Sequence, residues 1–396
     1  MTHAEDIIGQ ADTAPFFKVA NAGEIGLDLP AIRHGDAVRC WVNALAGFQK
    51  EALVGSTRSG NVWRLVSDEG GYLNGHDAAP CPLSFLSTGM VASYMNEILA
   101  LAEQRGVTLR KLRLIQNNYY TMKGSMRKRT MTGGALPVEL EVQCESDLDD
   151  AALQDLVAGA VHASPLNGLM RGKLPSLFTL TRNGEQIETG EAVALDAPVV
   201  GDPSGDAPVA EASDLTLIAR EGMSPKKDVA KGTAGSATSL TDEQDRTLNP
   251  GVICTLREDG IKEIEQHLYS PHGSVFRFLS EEAEPAGGRG RAPDAVSYIS
   301  AGIAFCFMTQ FGRMASMEKL DLSHYSIVQD THFSLGGASG GTGKPGSADP
   351  VETHVHLRTT ESDDVARDML DVSERTCFLH AFCRTDLKTK LKITRI

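Results

Sequence analysis

The sequence has no apolar run approaching the roughly 20 residues that a membrane-crossing helix needs. The longest stretches, such as Ile303 to Met308, are far shorter. Basic residues are in deficit: 38 Lys and Arg stand against 52 Asp and Glu, a net charge of −14. A chain of that sign repels phosphate backbones, so neither nucleic acid nor a membrane is an expected partner. The opening residues, MTHAEDIIGQ, lack the basic and apolar leader of a secretory signal, and a cytoplasmic location is expected. No CxxC occurs, and no Cys/His cluster has zinc spacing, so no metal centre is expected. No HExxH occurs either. The glycine-rich run Gly336 to Gly346 lacks the GxxxxGK spacing of a phosphate loop and reads as a hairpin loop.

What is present is an internal repeat. Shifted against itself by 213 positions, the chain lines up without gaps. Ala79 to Met95 (APCPLSFLSTGMVASYM) falls on Ala292 to Met308 (APDAVSYISAGIAFCFM), with six of the 17 positions identical. The same shift sets Val62-Trp63-Arg64-Leu65 on Val275-Phe276-Arg277-Phe278. Four segments follow: an N-terminal extension (1–35), a first unit (36–183), a linker rich in Gly, Ala, Pro, Asp and Ser (184–248) and a second unit (249–396).

Both units read alike. Short alternating segments (Cys40 to Ala46, Val62 to Ser67; Val252 to Arg257, Val275 to Ser280) predict antiparallel strands. A long helix follows in each, about Pro82 to Arg105 and Asp294 to Lys319, with apolar residues at three and four spacing. Further strands, a second helix beginning at Asp149-Asp150 or Ser362-Asp363, and a closing strand complete an α+β unit. Gly89 and Gly302 occupy the same place in the two long helices. A glycine inside a helix costs about 1 kcal/mol relative to alanine, so a matched pair points to a close helix crossing.

The units differ where chemistry matters. Ser93 corresponds to Cys306 and Ser164 to Cys377, so one unit carries two thiols where the other carries two hydroxyls. Two thiols at matched positions suit a redox pair: a thiolate attacks peroxide, becomes a sulfenic acid and condenses with a second thiol. Serine has no such oxidation cycle.

The segments PLSFLSTGMVAS, SAGIAFCF and SERTCFLHAF resemble the OsmC/Ohr family of bacterial thiol peroxidases and their relatives. The resemblance spans both units. It implies two OsmC-like units in one chain forming a pseudo-dimer, with long central helices between curved antiparallel sheets. It also implies a peroxidatic Cys306, a resolving Cys377, an organic hydroperoxide as substrate, a dithiol reductant of lipoyl or thioredoxin-like type, and no cofactor. The pair Ser93/Ser164 then marks a retired site. Further self-association is compatible with this arrangement.

A free thiol has a pKa near ~8.5 and needs a cation to ionise at neutral pH. Peroxidase members of the family use an Arg held by a Glu at the start of the long helix, where this chain has Val296. Arg277 is the expected cation, from its alternation with Val275 and Leu279; Arg257, Arg289 and Arg291 are further candidates. Two other functions fit the residues. Cys306 can transfer acyl or sulfur groups or consume an electrophile, or an apolar groove between the units can hold a hydrophobic small molecule. Cys81 and Cys383 read as a helix-start residue and a buried structural thiol, His354 and His356 as surface histidines, and Lys123 to Arg129 as a solvated tip.

Overall fold

A computed structural model describes residues 4–201, 207–227 and 238–396. The chain opens with α1 (Ile7–Gln10) and β1 (Phe17–Lys18). Next come β2 (Asp36–Ala44), β3 (Lys50–Ser56), β4 (Val62–Ser67), α2 (Pro82–Gln104), β5 (Arg110–Ser125), β6 (Thr132–Glu145), α3 (Asp150–Ala163), α4 (Leu166–Arg171) and β7 (Ser176–Arg182). After β8 (Glu185–Ile187) and β9 (Ile218–Met223), the same order recurs. It runs β10 (Glu243–Leu256), β11 (Lys262–Ser270), β12 (Ser274–Ser280), α5 (Ala295–Glu318), β13 (His324–Phe333), β14 (Val351–Arg358), α6 (Asp363–Thr376), α7 (Phe378–Arg384) and β15 (Thr389–Arg395).

The strands build two sheets, and each sheet mixes both halves of the chain. One has the order β1-β4-β3-β2-β13-β14-β7-β8, the other β15-β6-β5-β10-β11-β12-β9. Val351 lies opposite Ser176 and Val138 opposite Thr389, two parallel pairs related by 213 residues. The gapless offset needs one correction. Gly55 faces Val62 across one hairpin and His267 faces Val275 across the other, which is one residue longer. The offset is therefore 212 in β10 and β11 and 213 from β12 onward.

Between the sheets lie α2 and α5. The first packs on β10, β11 and β5, the second on β2, β3 and β13, and the two pack on each other. Both are buried nearly all round, which is why their sequences are apolar on every face. By length and composition α5 is apolar enough to cross a membrane, and here it is a core helix. Pro82 opens α2, while Asp294 caps α5 by accepting from the Ser297 N–H at 2.8 Å. The helices cross at the matched glycines. A Cβ on Gly89 would stand 2.6 Å from the Ala295 carbonyl oxygen, and one on Gly302 would stand 2.6 Å from the Leu86 nitrogen.

Several expected connections turn out to be structured. Residues 1–35 contribute β1, which pairs with β4. The stretch expected as linker contributes β8, β9 and the first six of the fourteen residues of β10, which pairs with β5 as far as Ser125. Parts of its Gly/Ser-rich runs, at 202–206 and 231–237, lie outside the described residues. The Lys123 to Arg129 tip is pinned, because Arg129 pairs with Glu318 and Asp368. His354 is buried, not on the surface, and its Nδ1 lies 2.8 Å from Thr179 Oγ1.

Candidate active site

Cys306 sits in the middle of α5, buried. Cys377 ends α6 and caps α7, its Sγ accepting from the His380 N–H at 3.4 Å. The two thiols interact: after burial, Cys377 is the largest influence on the Cys306 thiol, and the backbone of Leu379 acts on it in the opposite sense. In the other half, Ser93 Oγ and Ser164 Oγ lie 2.8 Å apart. Both cysteines are free thiols.

Cys306 opens on a small cavity of about 30 Å³, enough for a water or two. Its walls include Cys81, Glu69, Tyr72, Arg246 and Arg313. They come from both halves: Glu69 from the loop after β4, Arg246 from β10, and Arg313 from α5 two turns beyond Cys306. Arg246 donates to Ser239 Oγ, and its buried Nε has no acceptor among the described residues. Arg313 donates from Nε to the Ser239 carbonyl at 3.0 Å, and its other nitrogens face Met131 Sδ at 3.1 Å and Met122 Sδ at 3.7 Å. Burial lowers Arg246 to about 10. Burial, and then repulsion from Arg246, lowers Arg313 to about 9. Both guanidiniums stay charged at neutral pH, and neither has a carboxylate partner among the described residues.

Behind them runs a bonded chain of side chains. Lys50 Nζ donates to the Phe48 carbonyl at 2.5 Å and to Thr309 Oγ1 at 3.0 Å. Thr309 donates to Glu69 Oε1 at 2.8 Å, and the Tyr72 hydroxyl donates to Glu69 Oε2 at 2.6 Å. Burial pushes Glu69 up and Lys50 down, and their mutual attraction opposes both shifts.

The Cys306 thiol rests protonated. Burial drives Cys306 well above the ordinary thiol range, the hydrogen bond and charge of Cys377 add to this, and the Leu379 N–H works against it. Cys81 is pushed up to about 12, mainly by burial. Cys383 is raised as well, by burial and then by Cys377.

Arg277 is not among the residues that line this cavity. It bonds to Glu221 at 3.2 Å and is half-buried on the sheet face away from the helices. The core-facing residues of β12 are Phe276 and Phe278, and Phe278 stacks edge-on against Phe85 at 5.5 Å. The alternation was read in the wrong parity. Arg257, Arg289 and Arg291 gather instead with Asp259 and Glu281. Arg246 escaped sequence reading because it falls in the stretch taken as linker. Arg313, Thr309 and Gln310 stand at plus seven, three and four from Cys306, which on a helix is one face. That spacing was the available signal.

Residues 288–392 match the family model described as OsmC-like protein. No curated protein matches the chain. Among solved structures, an OsmC-like hydroperoxide resistance protein from Jannaschia sp. CCS1 is 16% identical, with a TM-score of 0.20. That match covers 32% of this chain and 79% of the other. The matched segment holds α5, α6, Cys306 and Cys377 and is similar to OsmC-like proteins.

Proposed function

We propose that the chain is a cysteine-based peroxidase for organic hydroperoxides, built as a covalent pseudo-dimer of two OsmC-like units (36–183 and 249–396). The sulfur of Cys306 attacks the distal peroxide oxygen, the O–O bond breaks, and the alkoxide leaves with the thiol proton as an alcohol. Cys306 is then a sulfenic acid. The Cys377 thiol attacks it, water departs and a disulfide remains. A dithiol reductant of lipoyl or thioredoxin-like type, in a reducing compartment such as the cytoplasm, returns both thiols and is itself oxidised to a disulfide.

The observation that carries this reading is the interaction of Cys306, in the middle of α5, with Cys377, at the start of α7: after burial, Cys377 is the largest influence on the Cys306 thiol. Support also comes from Arg246 and Arg313, whose unneutralised charge favours the anions of each step: thiolate, alkoxide and sulfenate. The apolar part of the wall, with Leu83, Met122, Leu248 and Phe378, suits the organic group of such a substrate. The test is mass spectrometry after one equivalent of cumene hydroperoxide. A Cys306–Cys377 disulfide is expected in the native chain, and a trappable Cys306 sulfenic acid in Cys377→Ser. An unmodified Cys306 rejects the reading. Continued turnover in Cys377→Ser moves it to acyl or sulfur transfer, or to capture of an electrophile.

A further inference from the structure

The Ser93/Ser164 side of the molecule is a cavity of about 440 Å³, against about 30 Å³ beside Cys306. The larger volume falls within the range of small-molecule sites, roughly 300–1,000 Å³. It keeps a lysine and a glutamate from the thiol site. Lys50 lies opposite Ser67 and Lys262 opposite Ser280, which is the same place in both hairpins. Glu69 and Glu282 follow β4 and β12 by the same two residues.

What these two side chains do differs. Beside Cys306 the pair is saturated: Thr309 and Phe48 take the ammonium of Lys50, while Thr309 and Tyr72 hold both oxygens of Glu69. On the serine side the corresponding residues are Asn96, Gly260 and Pro285. Lys262 is 4% exposed and makes no hydrogen bond or ion pair among the described residues. Glu282 accepts from Asn96 Nδ2 at 2.7 Å and from the Ala295 N–H at 3.3 Å, both on Oε1. Its Oε2 has no partner among the described residues, and Lys262 and Glu282 form no ion pair with each other. Of the other acids of the wall, the Glu103 carboxylate has no hydrogen-bond or ion-pair partner among the described residues, and the rest are engaged. Asp36 holds Ser56 Oγ and two backbone N–H groups, Glu97 is held by Ala338 and Ser339, and Glu281 pairs with Arg291.

Lys262 lines the cavity with no protein acceptor for its ammonium among the described residues, which leaves that group open to an acceptor on a ligand. A plain anion would meet the surrounding carboxylates of Glu97, Glu103 and Glu281, and a plain cation would meet Lys262, Arg58 and Arg289. A molecule that carries both charges satisfies both open groups. We infer that this cavity binds a small zwitterion of the α-amino acid type, its carboxylate on Lys262 and its ammonium on Glu282 Oε2. Ser93 lies in the wall, with Ser164 hydrogen-bonded to it.

The test is calorimetric titration of the full chain with each of the twenty protein amino acids, and with the amide of any that bind. At least one amino acid should bind one per chain with Kd of about 1 mM or tighter, and its amide at least about tenfold more weakly. Lys262→Met and Glu282→Gln should each weaken binding by about tenfold or more. Reaction of Cys306 with cumene hydroperoxide should not change in either variant, which separates this site from the thiol chemistry. No binding by any amino acid, equal binding of acid and amide, or unchanged binding in Lys262→Met overturns the inference. The comparison of acid with amide needs no variant, so it stands even if Lys262→Met does not fold.

Discussion

The two sides of this molecule hold the same lysine, the same glutamate and the same small-residue helix crossing, yet they are tuned to opposite ends. On one side the pocket is tight, cationic and built around two sulfurs. On the other it is wide, rich in acids and built around two hydroxyls 2.8 Å apart. The difference is not confined to the sulfur-for-oxygen exchange. Arg246 has His34 as its counterpart, which sits outside with Asp349, and Arg313 has Ala100. The side without the thiols also lacks both guanidiniums, and lacks the threonine and tyrosine that bond the buried lysine and glutamate. A site is thus a set of charges, and restoring its nucleophile alone does not restore it.

That statement can be broken directly. Cys306→Ser should abolish hydroperoxide reduction. Adding Ser93→Cys and Ser164→Cys to that variant should return no more than about 1% of the native rate, since the two missing guanidiniums are each expected to be worth on the order of 10²-fold. Full recovery of peroxide consumption would mean that the thiol pair suffices and the cations are incidental.

Taken singly, Arg246→Met should slow oxidation of Cys306 by about 10²-fold while the thermal midpoint changes little, as the side chain makes few bonds to lose. The rate in the native chain should climb with pH, because burial and Cys377 hold Cys306 in its protonated form at neutrality. Stopped-flow kinetics with cumene hydroperoxide across that range measures both. A flat pH profile would indicate that Cys306 is already a thiolate.

The long helices and the matched cysteines were legible in the sequence for a simple reason: repetition. Each half serves as a control for the other, so Ser93 and Ser164 identify Cys306 and Cys377 as a pair that changes together. The cations were not legible by that route. Glu69 and Cys306 lie 237 positions apart and meet only because each sheet mixes strands from both halves. Arg246 belongs to a strand whose first residues have the composition of a connector, and pairing with β5 makes it a strand. Arg277 shows the limit of period-two reasoning. Alternation divides β12 into two faces without saying which is inside, and the phenylalanines on either side outweigh the aliphatics.

The helix crossing should be shared equally by the two sides. Gly302→Ala places a methyl against the Leu86 backbone, and Gly89→Ala against Ala295 and Ile299. Each should cost about 3 kcal/mol in a urea melt, despite the better helix propensity of alanine. A loss in only one of them would mean that the crossing is not the common axis of both halves.

The smallest expected effect separates the two helix starts. Cys81 caps α2 and Asp294 caps α5, both buried. Burial, followed by the charges of Glu282 and Asp36, raises Asp294 to about 7. The folded chain therefore holds a proton there that the unfolded chain releases near its ordinary value of 3.8. The stabilisation from that proton is complete below the unfolded value and drains away as pH rises through the folded one. Asp294→Asn keeps a capping oxygen and removes the charge. It should be neutral near pH 4 and stabilising by about 2 kcal/mol near pH 8 in urea melts. Cys81→Ser should show no such slope over the same window, since Cys81 ionises only at about 12. A pH-independent effect of Asp294→Asn would place its ionised form in a bonded, stable state and remove this electrostatic contrast between the two helix starts.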